Sequence, residues 1–208
     1  MNGRIEIIDS KTAGEFLLPR HYSGRLPTIS VAFGWYFDGE LKAVCSFGKP
    51  ASPSLCNGIC GKEYSHCVYE LNRLCRTEDL DEPLSQFVSA CLRRLREKDW
   101  IIVSYSDTSM NHNGYIYQAC NFLYTGRTRP RTDRYAGKGK HSRHSETYDH
   151  NYRVVRSAKN RYVYFCTYKS RLKKEWMEHL NYPVMTYPKE PNKNYILGEY
   201  QQQILVKV

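Results

Sequence analysis

The sequence predicts an α/β fold of the α+β kind: one central mixed β-sheet flanked by helices, with a basic C-terminal elaboration. Three observations carry this. Short alternating or apolar runs bounded by turn residues recur along the chain, the pattern of half-buried and buried strands. Between two of them lies one clear amphipathic helix, TEDLDEPLSQFVSACLRRLREKD, and a strand-helix-strand order places the strands parallel with a crossover between them. Finally, 208 residues suffice for one such core and are too few for two with a linker.

The opening IEIID reads as a strand, and KTAGEFLLPRHYS as a helix running into a turn with Pro19 near its end. TISVAFGWYFDGELKAVCSFGKP is a hairpin whose alternating runs meet at Asp38-Gly39, a strong two-residue turn signal. Residues 50–66 form a Pro/Ser/Gly/Cys loop. In the strand HCVYELNRLCR, alternation puts Val68, Glu70 and Asn72 on one face and Tyr69, Leu71 and Arg73 on the other. In the helix that follows, Asp81 stands as a cap and Pro83 in the first turn, where its missing N–H costs little. Leu84, Phe87, Val88, Cys91, Leu92 and Leu95 make its apolar stripe.

Trp100, Ile101, Ile102 and Val103 read as a buried strand, followed by the polar turn SDTSMNHNG. A helix then starts at Tyr115, leads through Phe122 and Tyr124, and stops at Gly126. In an open α/β sheet this layout presents reactive groups at the carboxyl end of a strand, and Asp107 and His112 sit at that mouth. From residue 127 to about Arg153 the chain reads as a flexible basic loop; two strand candidates, YRVVR and RYVYFCTY, and a short helix, KSRLKKEWMEHL, come after it. The expected organisation is a single domain, with a catalytic core over 1–126 and a basic tail over 127–208 that completes the sheet and contacts a polyanion.

Charge divides the chain at the same point. The formal net charge is +10, yet residues 1–126 hold 13 Lys/Arg against 14 Asp/Glu, whereas residues 127–208 hold 18 against 7. Interleaved Arg, Lys, Tyr and His suit nucleic acid, because each cation placed near a phosphate releases condensed counterions; a solubilising face is the alternative. Arg127, Arg129, Arg131, Lys138, Lys140, Arg143 and Arg161 are the candidate contacts. Tyrosine is abundant, 18 residues against 7 Phe and 3 Trp, which favours wet binding faces.

The N-terminus is polar rather than a secretory signal, and there is no run of about 20 apolar residues. The expectation is a cytoplasmic protein that contacts no membrane and keeps its eight cysteines reduced. Cys56 and Cys60, with His66 and Cys67 nearby, have a spacing that just allows a tetrahedral zinc site, although the usual paired C-x2-C knuckles are missing. Cys45, Cys75, Cys91, Cys120 and Cys166 lie in apolar contexts and read as small buried residues.

Several side chains can carry chemistry, each with a structural alternative. Asp107 can take a proton from an amine or ligate a metal; equally it can cap a turn at SDTS. His21 and Tyr22 precede a glycine turn and are expected to be exposed, as a ligand or base beside a hydroxyl donor, or as surface residues without a role. Arg73, mid-strand, needs a partner: a carboxylate such as Glu70 or Glu78, or an anionic ligand. Tyr115 and Tyr117 begin the last helix, where a hydroxyl can point into the cleft or a ring can simply pack.

Four pieces of this sequence resemble the Mom family of phage DNA-modification proteins, within the GNAT acyltransferase-like superfamily. They are HYSG (21–24), YELNRL (69–74), SDTSMNHNGYIYQACNFLYTG (106–126), and a basic tail with RYVYF (161–165) and NYPVMTYPK (181–189). They span most of the chain, and the long third block is the specific one. The resemblance implies a GNAT-like fold and a transferase that converts adenine in DNA to N6-carbamoylmethyladenine, shielding phage DNA from host restriction. It implies His21, Tyr22, Arg73, Asp107 and Tyr117 as active-site residues, with Tyr117 as a general acid toward a leaving group; Ser106, Asn113 and Tyr115 are the candidate cofactor contacts beside them. Iron is implied too, with His21 and Asp107 as ligands, imidazole and carboxylate being usual non-haem partners.

The donor by resemblance is acetyl-CoA or a related acyl donor, with one departure. Superfamily members hold the coenzyme A pyrophosphate on a Q/R-x-x-G-x-G/A loop at a helix N-terminus. Here the position reads RTEDLDEP, without glycine and with four acids. DNA is the expected partner, double-stranded or unpaired at the target adenine, and the oligomeric state stays open, a homodimer included. Two other classes remain: a conventional N-acyltransferase acting on a protein or small-molecule amine, and a non-catalytic nucleic-acid-binding module.

Overall fold

A computed structural model describes residues 3–137, 145–193 and 196–208. Lys138, Lys140 and Arg143, three of the candidate DNA contacts, lie outside the described residues. The elements run β1 (Arg4–Ile8), α1 (Ser10–Leu17), β2 (Val31–Phe37), β3 (Glu40–Gly48), α2 (Pro53–Cys60), β4 (Val68–Arg76), α3 (Leu84–Leu95) and β5 (Trp100–Asp107). Then come α4 (Tyr115–Ala119), β6 (Leu123–Arg127), β7 (Arg131–Tyr135), β8 (Asp149–Arg156), β9 (Lys159–Cys166), α5 (Ser170–Glu178) and β10 (Leu205–Lys207).

Seven strands form the main sheet in the order β1-β2-β3-β4-β5-β9-β6. The β2–β3 hairpin closes at Asp38 and Gly39, both at positive φ, as a two-residue turn of this kind requires. β4 and β5, joined through α3, are the parallel pair; β9, from the basic C-terminal part, runs antiparallel along the whole of β5. Phe87, Val88, Cys91, Leu92 and Leu95 of α3 cover one face together with Phe33, Phe47, Leu71 and Phe122. On a second core, Cys56 and Ile59 of α2 and Trp176 of α5 pack on Val68, Ile101, Val103 and Phe165. α1 buries Ala13, Phe16 and Leu17 against Ala32, Val44 and Cys75.

Two irregularities in β4 open the sheet where the motif residues gather. Phe47 pairs with Leu71 but Ser46 pairs with Arg73, so Asn72 is the extra residue of a bulge. Its side chain fills the gap, accepting from Ser46 Oγ at 2.7 Å and donating to the Thr28 carbonyl at 3.0 Å. The bulge breaks simple alternation: Leu71 stays in the α3-side core, whereas Cys75, two residues past Arg73, joins the α1-side core. The expected sharing of one face by Leu71 and Arg73 is thereby corrected. Second, β4 and β5 pair only from Val68–Ile101 to Glu70–Val103. Beyond that point Ser104 Oγ reaches the Leu71 carbonyl at 2.9 Å in place of a ladder bond.

Other sequence expectations need correction. The helix begun at Tyr115 lasts five residues, because Asn121 takes a left-handed conformation (φ 60°) and Leu123 and Tyr124 pair with β9; Gly126 lies inside β6 rather than at a helix end. Asp81 does not cap α3, whose cap position is Pro83. The loop at 50–66 contains α2. The basic stretch read as a loop contains β7, which joins β8 and β10 in a second, three-stranded sheet. No zinc site forms among the described residues: no three metal-ligating side chains meet, Cys56 and Cys60 lie in the core, and Cys60 Sγ donates to the Trp176 carbonyl.

Candidate active site

β5 ends on Asp107, and its side chain organises the turn after it. The fully buried carboxylate accepts through Oδ1 from Ser109 N–H (3.0 Å), Ser109 Oγ (2.8 Å) and Ser157 Oγ (2.6 Å). Oδ2 accepts from Gln201 Nε2 at 3.0 Å and faces the Lys159 ammonium at 3.4 Å. Burial alone would raise its pKa, but Lys159, Ser157 and Ser109 together outweigh that and hold it below the ordinary 3.8. Asp107 is thus both the turn cap and an ionised, fully engaged anchor. A carboxylate so stabilised is a weak base, so orienting neighbours suits it and deprotonating an amine does not.

α1 delivers His21 and Tyr22. The His21 N–H bonds the Leu17 carbonyl, and Gly24, at φ 57°, turns the chain back. Contrary to the expected exposure, His21 is only 9 % accessible. Its Nδ1 accepts from the Ser23 N–H at 3.1 Å, so in the neutral ring the proton sits on Nε2. Burial, then the charges of Arg73, His112 and Lys159, push its pKa well below 6.5. Tyr22 packs against His21 with ring centroids 4.3 Å apart and planes tilted by 30°, and it meets His112 edge-on at 5.5 Å. Burial and then the Asp107 charge push its hydroxyl pKa up, so it stays protonated as a donor.

This arrangement predicts how stability responds to acid. His21 and His112 both have folded pKa values lowered, first by burial, so the unfolded chain takes up protons first as pH falls. The stability they lend is full above the unfolded value of 6.5 and is lost below it. Glu70, raised by burial, works in the opposite sense above 4.5, so the comparison between variants is the informative one. Thermal melts at pH 7.5 and 5.5 should show a drop for the wild type that shrinks in His21→Gln; an identical drop in both would contradict the buried neutral ring.

Arg73 enters from the bulge in β4. Its guanidinium donates to the Arg25 carbonyl from Nε (3.3 Å) and Nη2 (3.1 Å), and from Nη1 to the Asn72 carbonyl at 2.6 Å. Backbone carbonyls, rather than Glu70 or Glu78, are its partners. The Arg73 charge bears on His21, Tyr22 and Glu70, which places it among them. Tyr117 comes from α4 and meets the Ser104 hydroxyl where the ladder ends; burial, ahead of its other neighbours, pushes its pKa up to about 12. The structure therefore brings His21, Tyr22, Arg73, Asp107 and Tyr117 around the parting of β4 and β5.

Two groups join them that sequence reasoning undervalued. Glu70 stood only as an Arg73 partner; its carboxylate is raised by burial, lies near Arg73, Tyr105 and Tyr117, and makes no hydrogen bond to any described residue. A charged residue in the middle of an apolar strand was the available signal. Lys159, 52 positions from Asp107 in the chain, had none. Conversely, the proposed donor contacts are engaged elsewhere. Ser106 Oγ accepts from Asn160, Asn113 ties Tyr115 N–H to the 190–192 segment, and Tyr115 is 66 % exposed. Next to them lies a cavity of about 500 Å³ lined by Thr108, Asn111, His112, Asn113, Glu190 and Lys193.

His21 and Asp107 do not fit an iron centre. Among the described residues no three His, Cys, Asp or Glu side chains are placed to hold a metal ion together, and both Asp107 oxygens are already occupied by protein donors. The acidic start of α3 does not fit a pyrophosphate either: Glu78, Asp79 and Asp81 are exposed there, and Asp79 is bonded to Lys42 at 2.7 Å.

The candidate DNA contacts divide. Arg127 pairs with Glu190 at 2.7 Å, and Arg161 bonds Thr125 while lying 3.3 Å over the Tyr182 ring. Both have structural work. Arg129 and Arg131 are exposed, and the small sheet adds Arg134, Arg153 and Arg156. No described helix is long and apolar enough to cross a membrane.

A mixed seven-stranded sheet flanked by helices, with its single parallel pair parting above the site, is the fold of the GNAT acetyltransferases. An N-acetyltransferase from Staphylococcus aureus Mu50 superimposes with a TM-score of 0.50 at 13% identity, over 80% of this chain and 100% of that one. A Salmonella typhimurium protein assigned as an acetyltransferase and solved with its cofactor acetyl-CoA gives 0.52 at 9%, over 82% and 97%. Within that fold, residues 2–189 match the Mom protein family, and the chain belongs to it. No curated protein matches significantly in sequence.

Proposed function

We propose that this protein is a DNA-modifying transferase that converts adenine to N6-carbamoylmethyladenine and so protects phage DNA from host restriction. The observation that carries this reading is the convergence of the five family-motif residues, far apart in sequence, around the end of the β4–β5 pairing in a Mom-family chain. Adenine N6 is paired and weakly nucleophilic in duplex DNA, so the base must be flipped or already unpaired. The arginine-bearing small sheet would hold the backbone, and cleft tyrosines would stack on the extruded ring.

The chemistry follows from the protonation states. Glu70, with its raised pKa and no hydrogen-bond partner among the described residues, suits the base that takes the N6 proton. As N6 bonds to the methylene carbon of a carbamoylmethyl donor, the bond to the leaving group breaks. The Tyr117 hydroxyl, whose pKa burial pushes up to about 12, supplies its proton to that group. Neutral His21 and Tyr22 offer hydrogen-bond donors to the carbamoyl oxygen, and Arg73 braces the loop through the Arg25 carbonyl. The residues at these positions fit neither an iron ion nor a coenzyme A pyrophosphate.

The shared fold favours one other reading, a conventional acyltransferase acting on a protein or small-molecule amine. Salt dependence separates the two. Oligonucleotide affinity should fall steeply with salt, and Arg129→Glu with Arg131→Glu should weaken it at every sequence and reduce the slope of log K against log salt by about 2. Salt-insensitive or absent DNA binding by the wild type, together with acylation of a free amine, would favour the conventional enzyme.

A further inference from the structure

The segment after residue 196 passes along the His21–Tyr22 loop and the turn after Asp107 before entering the small sheet as β10. Tyr200 lays its ring beside Gly24 and its hydroxyl on the Pro19 carbonyl at 3.3 Å. Glu199 is held by Lys193, with both carboxylate oxygens 3.0 Å from its ammonium. Between these anchors and Ile204, whose carbonyl accepts from Val155 N–H, sits Gln201. Its backbone N–H donates to the Tyr22 carbonyl at 3.0 Å. Its side-chain Nε2 donates to Asp107 Oδ2 and to Ser109 Oγ, both at 3.0 Å. One residue thus bonds the His21–Tyr22 loop and the Asp107 turn, although Tyr22 and Asp107 stand 85 positions apart in the chain.

We propose that Gln201 is a positioning residue of the active site, the bridge that fixes Tyr22 relative to Asp107. Other groups account for Asp107 Oδ1, whereas Gln201 connects that carboxylate, through Oδ2, to the Tyr22 backbone by direct hydrogen bonds. A carboxamide is suited to the place: both its N–H bonds are donated, to a carboxylate and a hydroxyl, and it adds no charge beside the ion pair of Asp107 and Lys159. The family match ends at residue 189, so this contribution comes from a stretch that the family pattern does not reach. Displacement of catalytic groups by about 1 Å costs on the order of a hundredfold in rate, so a bridge of this kind acts on turnover rather than on DNA affinity.

The activity arm of the test rests on the DNA-modification reading; a spectroscopic arm does not. In the full-length protein, the Gln201 side-chain amide should give a dispersed, slowly exchanging NMR signal, assigned by its loss in Gln201→Met, and it should move on Asp107→Asn. A signal at the random-coil position overturns the proposal whatever the enzyme does. In the activity arm, Gln201→Met, which keeps length but lacks donors, should lower the turnover for adenine modification at least tenfold, with KM for DNA within twofold and a melting temperature lowered by only a few degrees, since Lys159, Ser109 and Ser157 still engage Asp107. Gln201→Glu should fare no better, since it is isosteric but sets a second carboxylate against Asp107. Wild-type turnover in Gln201→Met contradicts the positioning role while leaving DNA modification intact. A wild-type protein that modifies no DNA defeats the functional reading, and the amide signal then decides the bridge alone.

Discussion

Asp107→Ala is expected to remove adenine modification, by at least about a hundredfold, and to lower folding stability by about 3 kcal/mol. The two effects share one cause. The carboxylate is the common acceptor for Ser109, Ser157 and Gln201 and the counter-charge for Lys159, which come from three separate stretches of chain. Deleting it leaves buried hydroxyl and amide donors without an acceptor. The ammonium, whose side chain is 42% exposed, is partly rescued by water, which keeps the stability loss modest for a buried charge. Asp107→Asn should recover part of the stability, because it keeps the volume and one carbonyl acceptor, and little of the activity, because the anionic anchor is gone. Urea unfolding of both variants beside an assay of modified adenine checks this; an Asp107→Ala protein with wild-type activity would sink the proposed site.

Gly114→Ala should destabilise by about 2–4 kcal/mol, a fall of roughly 10 °C in Tm for a chain of this size. Gly114 starts α4 at φ 83°, where a side chain is strained in any surroundings. Its surroundings are also closed: an added Cβ would stand 2.3 Å from the ring of Tyr162. That ring cannot retreat, since Tyr162 is fully buried, accepts from Gln118 Nε2 at 3.1 Å and donates to the Asn113 carbonyl. Because α4 carries Tyr117, the substitution should lower activity as well as Tm. A melt within a degree or two of wild type would mean that the turn relaxes at little cost.

Much of this fold was legible in the sequence where a local pattern carried it. The Asp38-Gly39 turn and the α3 stripe each follow from residues within a few positions, and each appears in the fold; the polar turn expected from Ser106 starts at Thr108, because β5 runs on to Asp107 in its pairing with β9. The motif residues His21, Tyr22, Arg73, Asp107 and Tyr117 could be named as candidates, although the burial of His21 and Asp107 and the neutral state of His21 could not be foreseen. What escaped was set by distant parts of the chain. A one-residue bulge at Asn72 is decided by its fit to β3 and Thr28, and nothing in YELNRL marks it. The end of α4 depends on Leu123 being recruited by β9, and Asp107 takes its partners from residues 157, 159 and 201. Arg127 and Arg161 read as free cations because Glu190 and Tyr182, which engage them, come from later in the chain.

Adenine modification by this cleft is tested most directly by nucleoside mass spectrometry on plasmid DNA from cells expressing the protein, with the Asp107→Ala variant at matched soluble levels. The predicted result is a deoxyadenosine heavier by one carbamoylmethyl group in the first sample and only ordinary deoxyadenosine in the second. Unmodified DNA from cells that hold the folded wild-type protein would contradict it.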